Sequence, residues 1–204
     1  MRLSWLSLTH MTDRPGTGKT ETIVEAIKQV LKHNPNARIL ACAPSNSAAD
    51  IIAQRLHAVL SPDELFRCNA AFRDPGSLPA TLMPYSCSVN GAHFGLPSLD
   101  QLAKYRVIVS TCSNASFAYN IGLPEGHFSH VFVDEAGQAS EPEVLIAIKP
   151  LTQDNTRIIL SGDPKQLGAV IRSSIAREFG MEKSYLERLM ELPLYSGEHG
   201  RGTT

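Results

Sequence analysis

Apolar positions along the first third of the chain change period twice. Ile23, Val24, Ile27, Val30 and Leu31 share one helical face while Glu25, Lys28 and Lys32 fall outside it, so the spacing predicts a helix over Thr20 to His33. Asn34-Pro35-Asn36 ends that helix. Arg38-Ile39-Leu40-Ala41-Cys42-Ala43 then reads as a strand buried on both faces, because its apolar run is nearly continuous. Pro44-Ser45-Asn46-Ser47 is a turn that caps a second helix, from about Ala48 to Leu60. Helices alternating with buried strands are the grammar of an α/β domain whose mainly parallel sheet is flanked by helices.

Residues 61–103 break this alternation. Prolines at 62, 75, 79, 84 and 97 and glycines at 76, 91 and 95 punctuate them, and they read as an irregular accessory insertion. It is either a long surface excursion or a segment that contacts substrate or a partner. Strand patterns resume at Tyr105–Cys112, at His130–Val133 leading into Asp134-Glu135, and at Thr156–Asp163. A helical stretch is expected from about Ser173 to Leu192, and a frayed tail over residues 196–204, which hold three glycines and no apolar side chain. The organisation expected is one domain over residues 1–195.

Composition narrows the partners only a little. A net charge of −1 gives no global basic footprint for nucleic acid, and 6% aromatic residues give no general stacking platform, so only a local patch is open. Cys42, Cys68, Cys87 and Cys112 are widely spaced and suit reduced thiols in an intracellular protein. His127 and His130 lack companion ligands of zinc-site spacing. The apolar stretch at residues 3–8 is too short for a membrane span.

The chemistry centres on Pro15-Gly16-Thr17-Gly18-Lys19-Thr20. Glycines let successive backbone N–H groups converge on a phosphate, the lysine reaches the β- and γ-phosphates, and the threonine hydroxyl ligates Mg²⁺. The following helix points its positive end at the same anion. Residues 1–12 should supply the lead-in strand, although Ser4, Ser7 and His10 make a poor one. Asp13 stands where the full Gly-x-x-x-x-Gly-Lys-Thr pattern has its first glycine, which puts a carboxylate beside a polyphosphate.

Asp134-Glu135 after an apolar strand is the partner such a loop needs. Asp134 holds the metal and Glu135 acts as general base toward water; alone, the pair could equally open a solvated loop. Gly162-Asp163-Pro164-Lys165-Gln166-Leu167 ends the next strand at the same sheet edge, where Gln166 suits γ-phosphate sensing, although Gly-Asp-Pro is also a plain turn former.

Together, Asp134–Ala139, Gly162–Leu167 and Ala43–Asn46 resemble superfamily 1 helicases. With Tyr105–Cys112, Gly126–His130 and Leu186–Met190 added, the chain is most similar to RNA helicases of the Armitage and Moloney leukaemia virus ten type. The resemblance covers residue 15 to about 195 and implies a RecA-like P-loop NTPase domain, the first of the family's two. It implies ATP and Mg²⁺ as cofactors, bound by Pro15, Gly16, Thr17, Gly18, Lys19 and Thr20 with Asp134. Lys19, Glu135 and Gln166 become catalytic, and Ser45, Asn46, Thr111 and Cys112 lie in segments that approach single-stranded RNA. RNA-silencing or surveillance partners and a cytoplasmic location are further implications.

The family's adenine-reading glutamine, its second RecA-like domain and that domain's arginines have no counterpart here. The expectation is therefore a fragment with weak or no ATP turnover by itself. A non-catalytic nucleotide- or partner-binding module and a DNA helicase domain are the alternatives.

Overall fold

A computed structural model describes residues 18–163 and 168–193. The expected lead-in strand, Asp13, Pro15, Gly16, Thr17, Gln166 and the tail over 196–204 lie outside the described residues.

Helix α1 (Lys19–His33) buries Ile23, Val24, Ile27 and Leu31, the face its periodicity marked. Strand β1 (Ile39–Ala43) is buried at all five positions. Helix α2 (Asn46–Leu56) starts two residues earlier than expected, because Ser45 is its N-cap: the Ser45 side chain accepts the Ala48 N–H at 3.1 Å. It also ends earlier, at Leu56.

The stretch read as irregular contributes a strand to the sheet. Strand β2 (Leu65–Arg67) pairs in parallel with β5 (Val107–Thr111), Phe66 opposite Ile108. Its three residues, one of them a charged arginine, carry no strand periodicity, and only tertiary pairing defines it. The rest of the stretch holds two short 3₁₀ turns, a small hairpin of β3 (Ser88–Val89) and β4 (His93–Phe94), and helix α3 (Leu99–Leu102).

After β5 come helix α4 (Phe117–Asn120), strand β6 (His130–Val133), helix α5 (Glu141–Ile148) and strand β7 (Arg157–Leu160). The sheet order is β2-β5-β1-β6-β7, with every neighbouring pair parallel. The single helix expected over 173–192 is instead two, α6 (Ser174–Glu178) and α7 (Tyr185–Met190). Gly180, at φ 75°, interrupts them, and Ser184 caps the second by accepting the Glu187 N–H at 3.1 Å.

Alternation along each strand sorts its side chains between two cores. Ile39, Ala41, Val107, Val109, Phe132 and Ile159 pack on the side of α1 and α2. Leu40, Cys42, Ile108, Val131, Val133 and Leu160 pack on the side of α5 and α7. Burial on both faces is what a parallel sheet requires, and it accounts for the apolar runs in β1, β5 and β6. All four cysteines are free thiols, three of them buried. This α/β layering is the one the sequence predicts, and it brings the carboxyl ends of five strands to one edge.

Candidate nucleotide site and its neighbouring strand ends

Gly18 caps α1 in the left-handed region, at φ 75° and ψ 18°, which a glycine adopts without strain. Its carbonyl accepts both the Thr22 N–H (2.9 Å) and the Thr22 hydroxyl (3.2 Å), fixing the first turn that carries Lys19 and Thr20. From there Lys19 reaches across the strand ends. Its Nζ lies 3.6 Å from Asp163 Oδ2, just past the end of β7.

Asp134 and Glu135 leave β6 at the same edge. Asp134 is 2% exposed, and its N–H donates to the Cys42 carbonyl at 2.9 Å. One oxygen of its carboxylate accepts the Glu135 N–H at 3.0 Å. Glu135 sits at φ 53°, in the left-handed region that a non-glycine residue occupies at a cost of ~1–3 kcal/mol. Strain of that order concentrates at functional sites, where surrounding structure over-determines the backbone. Here the surroundings are visible: Ala136 N–H donates to the Ser161 carbonyl (2.7 Å), and Gln138 Nε2 donates to Glu135 Oε2 (3.0 Å).

The two loops that carry these acids are packed backbone to backbone. A side chain on Gly137 would overlap the Asp163 carbonyl, and a Cβ on Gly162 would come within 2.7 Å of the Gly137 nitrogen. Both glycines are therefore required by close approach, and they lock the Asp134-Glu135 turn to the Asp163 turn.

The electrostatics follow from this crowding. Partial burial, the Asp134 charge and the Asp163 charge together hold the Glu135 carboxyl above the ordinary carboxylate range, and the Lys19 ammonium pulls it back only in part. A carboxylate raised toward neutrality is better matched to taking a proton from water than an unperturbed one. Lys19, Asp134, Glu135 and Asp163 are thus one charge-coupled group.

The residues expected to face RNA are spread along the neighbouring strand ends. Ser45 is exposed, but its hydroxyl serves as the cap of α2 and lies 3.0 Å from Ser47 Oγ. Asn46 Oδ1 accepts from Arg67 at 3.2 Å. Thr111 Oγ1 accepts the Asn114 N–H at 3.3 Å. Cys112 differs from the other three. Its side chain is fully buried in the core, burial pushes its thiol up to about 12, and its N–H donates to the Ala43 carbonyl at 2.9 Å. The thiol is therefore a core group that cannot reach a ligand on this edge.

Sequence reasoning did not assign Asp163 as the partner of Lys19, nor Gln138 as the partner of Glu135. For the latter a signal existed, since Gln138 follows Glu135 by one turn. It also missed a buried ion network beside Asn46. Asp50 Oδ1 accepts from Arg67 Nε at 2.9 Å, and Asp50 Oδ2 accepts from an Arg73 terminal nitrogen at 2.6 Å. Arg67 is fully buried and Asp50 nearly so.

A family model described as "AAA domain" matches residues 3–70 and 99–174, most of the chain, so the chain belongs to that family. Its relatives are helicases of the Moloney leukaemia virus ten and Armitage type. RNA helicase Mov10l1 of Homo sapiens is 46% identical over 183 residues, which is 89% of this chain and 14% of that protein. The probable RNA helicase armi of Drosophila melanogaster is 37% identical over 201 residues, 89% of this chain and 17% of that protein. The chain thus spans a small part of the length of the relatives it matches. Among solved structures, T4 UvsW superposes with a TM-score of 0.48 at 17% identity, covering 81% of this chain and 28% of that one. Among the described residues, no helix is long and apolar enough to cross a membrane.

Proposed function

We propose that this chain is the ATP-binding, RecA-like core of an ATP-dependent RNA helicase of superfamily 1. Residues 1–195 form that domain, 61–103 its accessory segment and 196–204 a tail. The observation that carries the reading is the convergence of Lys19 and Asp163 with Asp134 and Glu135 at one carboxyl edge of a parallel sheet, the usual place for a nucleotide in such folds. The substrates are ATP and single-stranded RNA, and the place of action is the cytoplasm, with RNA-silencing or surveillance proteins as partners. The printed names of the relatives support the RNA side of this reading.

The donor set fits Mg²⁺. Among the described residues no cluster of three His, Cys, Asp or Glu side chains could hold a metal unaided. Mg²⁺ needs none, since it binds through one or two carboxylates together with substrate phosphates and keeps several waters. Asp134, with Thr20 on the first turn of α1, would hold it. When bound, the ion neutralises charge on the transferred phosphoryl group.

The protein's own residues do the rest. The backbone of Pro15–Gly18 cradles the phosphates, and Lys19 exchanges its contact with Asp163 for one with the β- and γ-phosphates. Glu135 orients a water and takes its proton, and Gln166 senses whether the γ-phosphate is present. Ser45, Asn46 and Thr111 lie on the RNA side of the same edge.

The test is Glu135→Gln. Removing a general base lowers turnover by ~10²–10⁴-fold. Single-turnover ATP hydrolysis, expected to be slow in this chain alone and therefore read at high protein concentration, should fall by that amount while nucleotide affinity, measured by titration calorimetry, stays within a few-fold. Hydrolysis that is equal in both proteins assigns the chain to a binding role instead.

A further inference from the structure

Phe72 is 96% exposed, the most exposed large apolar side chain among the described residues. It does not hang on a loose loop. Arg73 N–H donates to the Ala70 carbonyl at 3.0 Å, closing a tight turn with Phe72 at its tip. The residue that follows is pinned. Arg73 donates to both carboxylate oxygens of Asp50 (3.0 and 2.6 Å), to Asn69 Oδ1 (2.7 Å) and to the Ser77 hydroxyl and carbonyl (both 3.1 Å). Its side chain is 5% exposed. An aromatic ring is thus held out into solvent by one of the most heavily bonded side chains in the protein.

The place of this turn is informative. It follows β2, the outermost strand, at the carboxyl edge that also carries Ser45, Asn46 and Thr111. The strand ends are tied together there. Arg67 bonds Asp50 and Asn46, and Asn114 Nδ2 donates to Cys68 Sγ at 3.2 Å, joining the loop after β5 to the segment after β2. One Asp50 carboxylate faces two buried guanidiniums, and Asp74 adds a second carboxylate on the same turn, so these four charges balance. Asp74 directs its carboxylate to the Gly76 N–H, at 3.0 Å.

We propose that Phe72 is a nucleobase-stacking platform that extends the RNA track outward from Asn46 to the β2 edge. The proposal rests on the RNA reading above. Recognition of single strands combines a positive groove that follows the backbone with aromatic faces on which bases stack. The turn after β2 supplies the aromatic face, beside strand ends where Ser45 and Asn46 are exposed. A backbone turn fixed in advance presents its ring without the ordering cost of a mobile loop. Stacking of this kind is tolerant of sequence, because every base has a π-face.

The test is fluorescence anisotropy with the full 204-residue chain, using oligouridylate and an abasic ribose-phosphate strand of equal length. Phe72→Ala should weaken oligouridylate binding by about 5- to 100-fold and leave the abasic strand unaffected. Phe72→Trp should restore affinity. Because the ring is exposed, the melting temperature should not move in either variant. Oligouridylate affinity unchanged in Phe72→Ala overturns the platform alone, and assigns the ring to a protein contact. No binding of either strand by the unmodified chain overturns the RNA reading, and the platform with it.

Discussion

The edge of the sheet at β6 and β7 and the edge at β2 both gather charged side chains, yet they are built in opposite ways. At the first, Lys19, Glu135 and Asp163 are partly open to solvent and are brought together by short loops whose glycines allow close backbone contact. At the second, Asp50, Arg67 and Arg73 are withdrawn from water and satisfied by hydrogen bonds that reach 17 and 23 residues along the chain. The first arrangement leaves its charges available to exchange partners with a ligand. The second fixes its charges and, with them, the positions of Asn46 and the Phe72 turn. At the first edge only Asp134 of the four charged side chains is buried; at the second all three are.

This contrast is broken or sharpened most forcefully by Glu135→Gln, whose expected loss of turnover of ~10²–10⁴-fold should leave stability nearly unchanged. Asp50→Ala should do the reverse. Truncating one partner of a buried ion network leaves the others uncompensated, at ~3–5 kcal/mol. Chemical denaturation should register that loss directly, and nucleotide affinity should be retained under native conditions. An Asp50→Ala protein as stable as the parent would mean that Arg67 and Arg73 are solvated in the folded state.

The two edges also differed in how far the sequence revealed them. The candidate nucleotide edge was legible as short local words, Gly18-Lys19-Thr20, Asp134-Glu135 and Gly162-Asp163, which the structure brings to one edge of the sheet. Helix α1 and strands β1, β5, β6 and β7 were legible because burial imposes a period or a continuous apolar run. Strand β2 was hidden because Arg67 in a three-residue run looks like a loop residue. Asp50, on a helix 17 positions away, and Asn46, 21 positions away, together satisfy that arginine inside the core. Helix α5 was passed over although Ser140-Glu141-Pro142-Glu143 carries a start signal, with Glu143 accepting the Ser140 N–H at 2.9 Å. The break at Gly180 was equally readable, since a glycine at φ 75° ends one helix before Ser184 starts the next.

A smaller effect separates the two contributions of Asp163. Its charge raises the Glu135 carboxyl while its contact holds Lys19. Asp163→Asn removes one of the charges that oppose ionisation, so Glu135 should titrate at lower pH than in the parent. On the proposed general-base role Glu135 must be ionised to act, so the acidic limb of any turnover profile should move down in pH with it. Carboxyl ¹³C shifts of Glu135 across a pH series would follow this without requiring turnover. A titration that moved upward would mean that Lys19, once released from residue 163, had moved away from Glu135.

The smallest expected effect falls at Ser45, where two roles overlap. Its hydroxyl accepts the Ala48 N–H, so Ser45→Ala should cost α2 about 1 kcal/mol. A loss of RNA affinity in that variant would be ambiguous, because a frayed helix start also moves Asn46. Ser45→Asp resolves the ambiguity. Aspartate caps as well as serine and is favoured at a helix N-terminus, so stability should be retained or slightly increased. The added negative charge would repel a phosphate passing the same turn, weakening oligouridylate binding most at low salt. Equal RNA affinity in Ser45→Asp and the parent would make Ser45 a cap and nothing more, and would leave Asn46, Thr111 and the β2 edge as the RNA side of the sheet.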